Sequence, residues 1–160
     1  MRIQDVMTRE VSCCRPGDSL SEAARCMWEC DCGATPIIDE ERRVVGILTD
    51  RDICMAAYTR GAPLHAIEIA SVMSTDLCAC RPGDALEDVE TQMRQHRVRR
   101  IPVVDEQDRL VGIVSLNDLA LEFQKEQGQR RKSIKAREVA ETLAAICEHQ
   151  HQPALGAAAG

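Results

Sequence analysis

Two short patterns in the chain place a hydroxyl and a carboxylate three residues apart: Thr49-x-x-Asp52 and Ser115-x-x-Asp118. A Ser or Thr followed at that distance by an acid starts helices. The hydroxyl caps an amide of the first turn, and the acid favours the positive end of the helix dipole. The same geometry can serve a ligand. A helix N-terminus offers unpaired N–H groups to a phosphate, the hydroxyl can donate to a phosphate oxygen, and the carboxylate can accept two hydrogen bonds from a ribose diol. The two uses are compatible. A third pattern is basic, His96-Arg97-Val98-Arg99-Arg100-Ile101-Pro102. Arginine makes charge-assisted, often bidentate contacts to phosphate, and it equally makes an ordinary solvated surface.

The nine cysteines are the other candidates for chemistry. Six lie early (Cys13, Cys14, Cys26, Cys30, Cys32 and Cys54), followed by Cys78, Cys80 and Cys147. Cys26 and Cys30 fall on neighbouring turns of a helix, and Cys30-Asp31-Cys32 is a C-x-C pair. Thiolates at such spacing could hold a soft metal or form a redox pair. No C-x-x-C knuckle and no Cys/His quartet has zinc spacing, so core filling is the first expectation and a thiol-based metal or redox sensor the alternative. Asp50 and Asp52 are two carboxylates near one helix start, but nothing marks either as an acid or base with a shifted pKa. The four histidines are scattered, and no glycine loop is built to cradle phosphate. The expectation is therefore no enzyme, no catalytic residue and no dedicated metal site.

Composition narrows the field further. Trp28, Tyr58 and Phe123 are the only aromatics in 160 residues, which excludes a surface that stacks successive bases. Residues 1–120 carry 14 Arg, no Lys and 21 Asp or Glu, so this part is acidic and broad nucleic-acid binding by it is unexpected. A small basic cluster, Arg130, Arg131, Lys132, Lys135 and Arg137, follows in the last quarter. The opening Met-Arg-Ile-Gln-Asp-Val lacks the apolar stretch of a signal peptide, and no apolar run approaches a membrane span. A cytoplasmic, reduced protein with mostly free thiols is expected, and an odd cysteine count fits that.

The elements that position these residues emerge from a repeat. Shifted by 66, the chain matches itself: Val6-Met7 returns as Val72-Met73, Cys14-Arg15-Pro16-Gly17-Asp18 as Cys80-Arg81-Pro82-Gly83-Asp84, and Val45-Gly46-Ile47 as Val111-Gly112-Ile113. Each copy reads as a short strand (Val11 to Cys14), an Arg-Pro-Gly turn, and a helix capped by Asp18. The helix carries the stripe Leu20, Ala23, Ala24, Met27, repeated as Leu86, Val89, Met93. A hairpin follows, from Pro36-Ile37-Ile38 through the turn Asp39 to Arg42 into Val44 to Leu48. A second helix runs from Asp50 to about Arg60, with its counterpart starting near Leu116. The unit is β-α-β-β-α, too small to stand alone comfortably, so two copies are expected to pack with pseudo-two-fold symmetry in an α/β (α+β) fold. After residue 120, Val139, Leu143 and Ile146, with Ile134 upstream, mark one face of a C-terminal helix expected to dock on the body or its twin. Gln150 onward is expected to be a disordered tail.

The order of these motifs, occurring twice at one offset, resembles a tandem pair of CBS domains (a Bateman module) of the stand-alone kind. The resemblance rests on Asp5-Val6-Met7-Thr8, the Arg-Pro-Gly-Asp turns, Thr35-Pro36-Ile37-Ile38-Asp39, and Gly46-Ile47-Leu48-Thr49-Asp50-Arg51-Asp52 with its counterpart Gly112-Ile113-Val114-Ser115-Leu116-Asn117-Asp118. It divides the chain into a first repeat (1–60), a second repeat (61–120), a helical extension (121–150) and a tail (151–160). It implies that Thr49, Asp52, Ser115 and Asp118 contact the phosphate and ribose of an adenosine nucleotide, and that Arg99 or Arg100 reaches the phosphates. The base would rest against Ser12, Cys13, Thr35, Cys78, Ala79 and Ile101. The first repeat departs from the basic pattern with Gly33-Ala34, so two unequal sites are expected, and the side served by Arg100 stays open. The implied function is regulatory. An adenosine-type ligand (AMP, ADP, ATP, NAD or S-adenosylmethionine), with no other cofactor required, would shift the packing of the repeats and signal to an unknown regulated protein. A homodimer through the repeat helices is implied as well.

Overall fold

The computed structural model describes residues 1–125 and 135–147. Arg130, Arg131, Lys132, Ile134 and the expected tail lie outside the described residues. In chain order the elements are α1 (Ile3–Val6), α2 (Leu20–Glu29), β1 (Ala34–Ile38), β2 (Val44–Thr49), α3 (Asp50–Arg60), α4 (Leu86–His96), β3 (Arg100–Val104), β4 (Leu110–Ser115), α5 (Leu116–Lys125) and α6 (Ala136–Cys147), with short 3-10 turns at Leu64–Ala66 and Ile69–Ser71. The β-branched runs pair as two antiparallel hairpins, β1 with β2 and β3 with β4. Their registers are copies at the same offset: Thr35 faces Leu48 and Ile101 faces Val114. The helical stripes behave as their spacing predicts, with Leu20, Ala23 and Met27 buried in one core and Leu86, Val89 and Met93 in the other.

Two local expectations are corrected. The strand expected over Val11 to Cys14 is reduced to a single parallel bridge, Cys14 to Ile37, repeated as Cys80 to Val103. Cys14 N–H donates to the Pro36 carbonyl (3.2 Å) and Ile38 N–H to the Cys14 carbonyl (2.9 Å). The next rung would need an N–H from Pro36, which has none. The second correction concerns the helix cap. Asp18 does not cap α2; its Oδ2 accepts Arg15 N–H at 2.7 Å and closes the Arg-Pro-Gly turn, as Asp84 does for Arg81. Ser19 is the cap, in a reciprocal box with Glu22.

The two repeats exchange their opening segments. Arg2 pairs with Ala85 and Thr8 with Ile113; at the 66-residue offset, Glu68 pairs with Ser19 and Ser74 with Ile47. Ile3 and Met7 are accordingly buried in the core of the second repeat, and Ile67 and Ile69 in that of the first. The recurring glycines make room for this exchange. A Cβ on Gly112 would lie 2.8 Å from Met7 Sδ and 3.0 Å from the Thr8 carbonyl, and one on Gly46 would lie 2.6 Å from Met73 Sδ. The Val-Met and Val-Gly-Ile motifs thus recur because each copy's methionine packs on the other copy's glycine.

Helix α6 docks on α4 and α5, on the second repeat of the same chain. Its buried face is turned from the expected one. Val139 and Ile146 pack against the core, but Leu143 is 45% exposed and Thr142 is fully buried instead. The reason is polar: Arg94 Nη1 donates to Thr142 Oγ1 at 2.9 Å, which draws that residue inward.

Candidate functional site

The site begins at the junctions where β2 runs into α3 and β4 into α5. Thr49 leaves β2 in extended conformation and accepts Asp52 N–H on its hydroxyl (3.2 Å), while Asp52 Oδ2 accepts the Thr49 amide (2.9 Å) and hydroxyl (2.6 Å). Ser115 and Asp118 repeat the arrangement at 2.8, 2.6 and 3.2 Å. Each carboxylate therefore commits one oxygen to the cap and keeps the other. The second oxygens differ. Asp118 Oδ1 meets the hydroxyl of Thr8 at 3.4 Å, whereas among the described residues no donor reaches Asp52 Oδ1. Asp52 borders a shallow cavity of about 210 Å³ with Thr59, Arg60 and Ser71.

The basic pair divides between two faces, as successive residues of an extended segment do. Arg100, at the start of β3, turns toward the first repeat: its Nη1 lies 3.7 Å from where a Cβ on Gly33 would stand, and Asp50 Oδ2 lies 2.9 Å from the same point. Among the described residues Arg100 forms no ion pair. Asp50 N–H donates to the Gly33 carbonyl (3.1 Å), as Leu116 N–H does to the Arg99 carbonyl (2.9 Å). Gly33, Asp50, Asp31, Met27 and Ile53 line a cleft of about 420 Å³. Arg99 points elsewhere, its Nη2 4.0 Å from Cys147 Sγ on α6. Gly33 and Asp50 were not singled out for the site from the sequence. The signal was present, because position 33 is a glycine where the repeat has Arg99, and only a residue without a side chain leaves the Asp50 carboxylate its place.

The residues expected around a base occupy matching places in the two repeats. Thr35 and Ile101 are fully buried on β1 and β3, and Ser12, Cys13, Cys78 and Ala79 lie on the approach to the two isolated bridges. Thr35 Oγ1 donates to the Ser12 carbonyl at 3.1 Å, and Ser12 Oγ lies 3.0 Å from Cys30 Sγ. Cys78 Sγ is held by Gln92 Oε1 at 3.5 Å. The shared cysteines are core residues: burial pushes both Cys14 and Cys80 up to about 12. Among the described residues, no three His, Cys, Asp or Glu side chains are placed to hold a metal ion.

Comparison with known proteins agrees with this architecture. The model of the CBS domain matches twice, over residues 3–58 and 69–125. CBS domain-containing protein YhcV of Bacillus subtilis is 40% identical over 119 residues, covering 74% of this chain and 83% of that protein. The crystal structure of Hypoxic Response Protein I with two coordinated zinc ions is 32% identical, with a TM-score of 0.69 over 76% of this chain and 98% of the other. The CBS domain pair of protein MJ0100, in complex with 5'-methylthioadenosine and S-adenosyl-L-methionine, is 25% identical, also with a TM-score of 0.69 and covering 76% and 98%. The chain spans only 23% of the matching homoserine O-acetyltransferase of Methanococcoides burtonii. With two exchanged β-hairpin units, two matches to one family model and a fold shared with solved CBS domain pairs, the chain belongs to the CBS domain family and carries the domain as a tandem pair.

Proposed function

We propose that this chain is a regulatory module, not an enzyme, that binds an adenosine-type ligand between its two repeats and passes the resulting change in packing to a partner protein. The observation that carries the reading is the pair of capped helix starts at Thr49–Asp52 and Ser115–Asp118, with Arg100 crossing from the second repeat to the Gly33–Asp50 edge of the first. A helix N-terminus and a guanidinium that forms no ion pair among the described residues suit a phosphate, and the uncommitted Asp52 oxygen suits a ribose diol. The MJ0100 pair, which binds two adenosine-bearing molecules, supports the ligand class. The two helix starts are unequal, because Thr8 engages Asp118 while among the described residues no donor reaches Asp52 Oδ1, and Arg100 stands at the Gly33–Asp50 edge of the first repeat, where it suits a phosphate-bearing ligand.

The partner surface fits a second copy. Trp28 on α2 (88% exposed) and Met55 and Tyr58 on α3 (48% and 83%) leave the helical face of the first repeat apolar, while α6 covers the matching face of the second. A homodimer through α2 and α3 would cover it.

Calorimetry with AMP, ATP, NAD and S-adenosylmethionine tests the ligand class. Binding of at least one is expected. Arg100→Ala is expected to weaken AMP about tenfold or more, the scale of one lost charge-assisted contact, and to leave 5'-methylthioadenosine, which has no phosphate, nearly unchanged. No binding by any of them, with Asp118→Ala indistinguishable from the unaltered protein, refutes the reading.

A further inference from the structure

Four thiols of the first repeat gather where α2 ends. Cys26 is at the centre, half-buried, with Cys14 and Thr35 beside it, Cys30 one turn further on and Cys32 beyond the turn. The second repeat has Gln92, His96 and Val98 at the positions of Cys26, Cys30 and Cys32, so the shared fold does not call for sulfur there. Since no three donors converge on a metal position among the described residues, pairs are what remain.

One pair is set apart by its place. Cys26 and Cys30 are joined by the last backbone bond of the helix, Cys30 N–H to the Cys26 carbonyl at 3.0 Å. Cys30 is exposed and is the capping residue of α2, and the next residue, Asp31, turns the chain away in the left-handed region (φ 48°). The turn that holds Cys30 is therefore the end of the helix, closed by Asp31 N–H to the Trp28 carbonyl (3.3 Å) and Cys32 N–H to the Met27 carbonyl (3.0 Å).

We propose that Cys26 and Cys30 form a reversible intramolecular disulfide by exchange with a low-molecular-weight disulfide. The exposed Cys30 thiolate, its proton lost to solvent, attacks one sulfur of the small disulfide. That S–S bond breaks, and the departing thiolate takes up a proton. Cys26, also as thiolate, attacks Cys30 in the mixed disulfide, forms the Cys26–Cys30 bond and expels the second small thiol. Two protein thiols are oxidised and one small disulfide is reduced to two thiols. Cys30 is exposed, Cys26 half-buried and Cys14 buried, so Cys30 meets the small disulfide first; burial raises Cys26 and raises Cys14 further, which leaves Cys14 as a thiol. Residues four apart on a helix have Cβ atoms about 5–6 Å apart and a disulfide needs about 3.5–4.5 Å, so the last turn of α2 tightens by about 1–2 Å. That movement disturbs the Ser12–Cys30 contact and shifts Trp28, the only tryptophan, which lies between the two cysteines in sequence. The bridge stands on thiol geometry alone; an effect on the cleft through Ser12 rests on the ligand reading above.

The test uses the full chain, reduced and then incubated with glutathione disulfide. Non-reducing peptide mapping is expected to find a Cys26–Cys30 bridge without retained glutathione, accompanied by a change in Trp28 emission that dithiothreitol reverses. Cys26→Ser should trap glutathione on Cys30 and lose that emission change, and the surface variant Cys30→Ser should abolish both. A bridge between Cys30 and Cys32 or between Cys14 and Cys26, or a persistent adduct on Cys30 in the unaltered protein, overturns the proposal. Failure of AMP and the other nucleotides to bind in either redox form counts against the ligand reading and leaves the mapped bridge standing.

Discussion

Thr35 does at one position what a backbone amide cannot. The short parallel bridge at Cys14 would continue through a bond to the Ser12 carbonyl, but the amide at position 36 belongs to proline. The Thr35 hydroxyl supplies that bond instead, at 3.1 Å. The second repeat has Ile101 there and lacks the substitute. Thr35→Val keeps the shape and removes the donor, so it should cost about 0.5–1.5 kcal/mol in urea unfolding with an unchanged slope. A loss close to zero would mean that water already serves the Ser12 carbonyl. This is also where sequence reading reached its limit. The motif Thr-Pro-Ile-Ile is visible in the sequence and the resemblance puts Thr35 beside the base, but the missing proline rung appears only once Cys14 lies beside Pro36 and Ile38. Arg99 and Arg100 were equally visible, yet only the pleat sends one toward Gly33 and the other toward α6.

At the scale of elements, the contact between α4 and α6 is built around a carboxyl that it does not fully satisfy. Glu90 is 2% exposed, and its Oε1 has no hydrogen-bond partner among the described residues. Burial pushes its pKa up, Glu138 on α6 and Glu87 on α4 push the same way, and Arg94 on α4 and Lys135 just before α6 pull it down. A carboxyl whose pKa is higher in the folded state binds its proton more tightly there. The contribution is complete below the ordinary value of 4.5 and is lost as pH rises through the raised value. Glu90→Gln removes the titration while keeping the shape. Above the ordinary value of 4.5, its thermal midpoint should pull increasingly ahead of that of the unaltered protein as pH rises. Parallel curves would show that Glu90 is ionised in the docked state at every pH above that value. Periodicity located α6 but turned its face wrongly, because Val139, Leu143 and Ile146 looked like a stripe whereas the Arg94–Thr142 bond set the rotation.

At the scale of the whole molecule, the sequence repeat and the folded unit are out of phase. The 66-residue offset made every element legible twice, and it could not show that the segment opening each copy belongs to the core of the other. No residue pattern separates that arrangement from two self-contained units; only the pairs Thr8 with Ile113 and Ser74 with Ile47 do. The consequence can be measured. Removing residues 1–8 takes the fully buried Ile3 and the buried Met7 out of the second core and both Thr8 rungs away from β4. Each such side chain contributes about 1.5–3 kcal/mol when buried, and together they are a large share of the roughly 5–15 kcal/mol that holds a domain of this kind. Hydrogen exchange on the truncated chain should therefore show lost protection in α4, β3 and β4, more than 60 residues from the cut, while α2, β1 and β2, next to it in sequence, keep theirs. Loss confined to the first repeat would mean that the opening segments are not exchanged. Uniform loss would mean that the two cores unfold as one cooperative unit, with the Met7–Gly112 and Met73–Gly46 contacts tying them together.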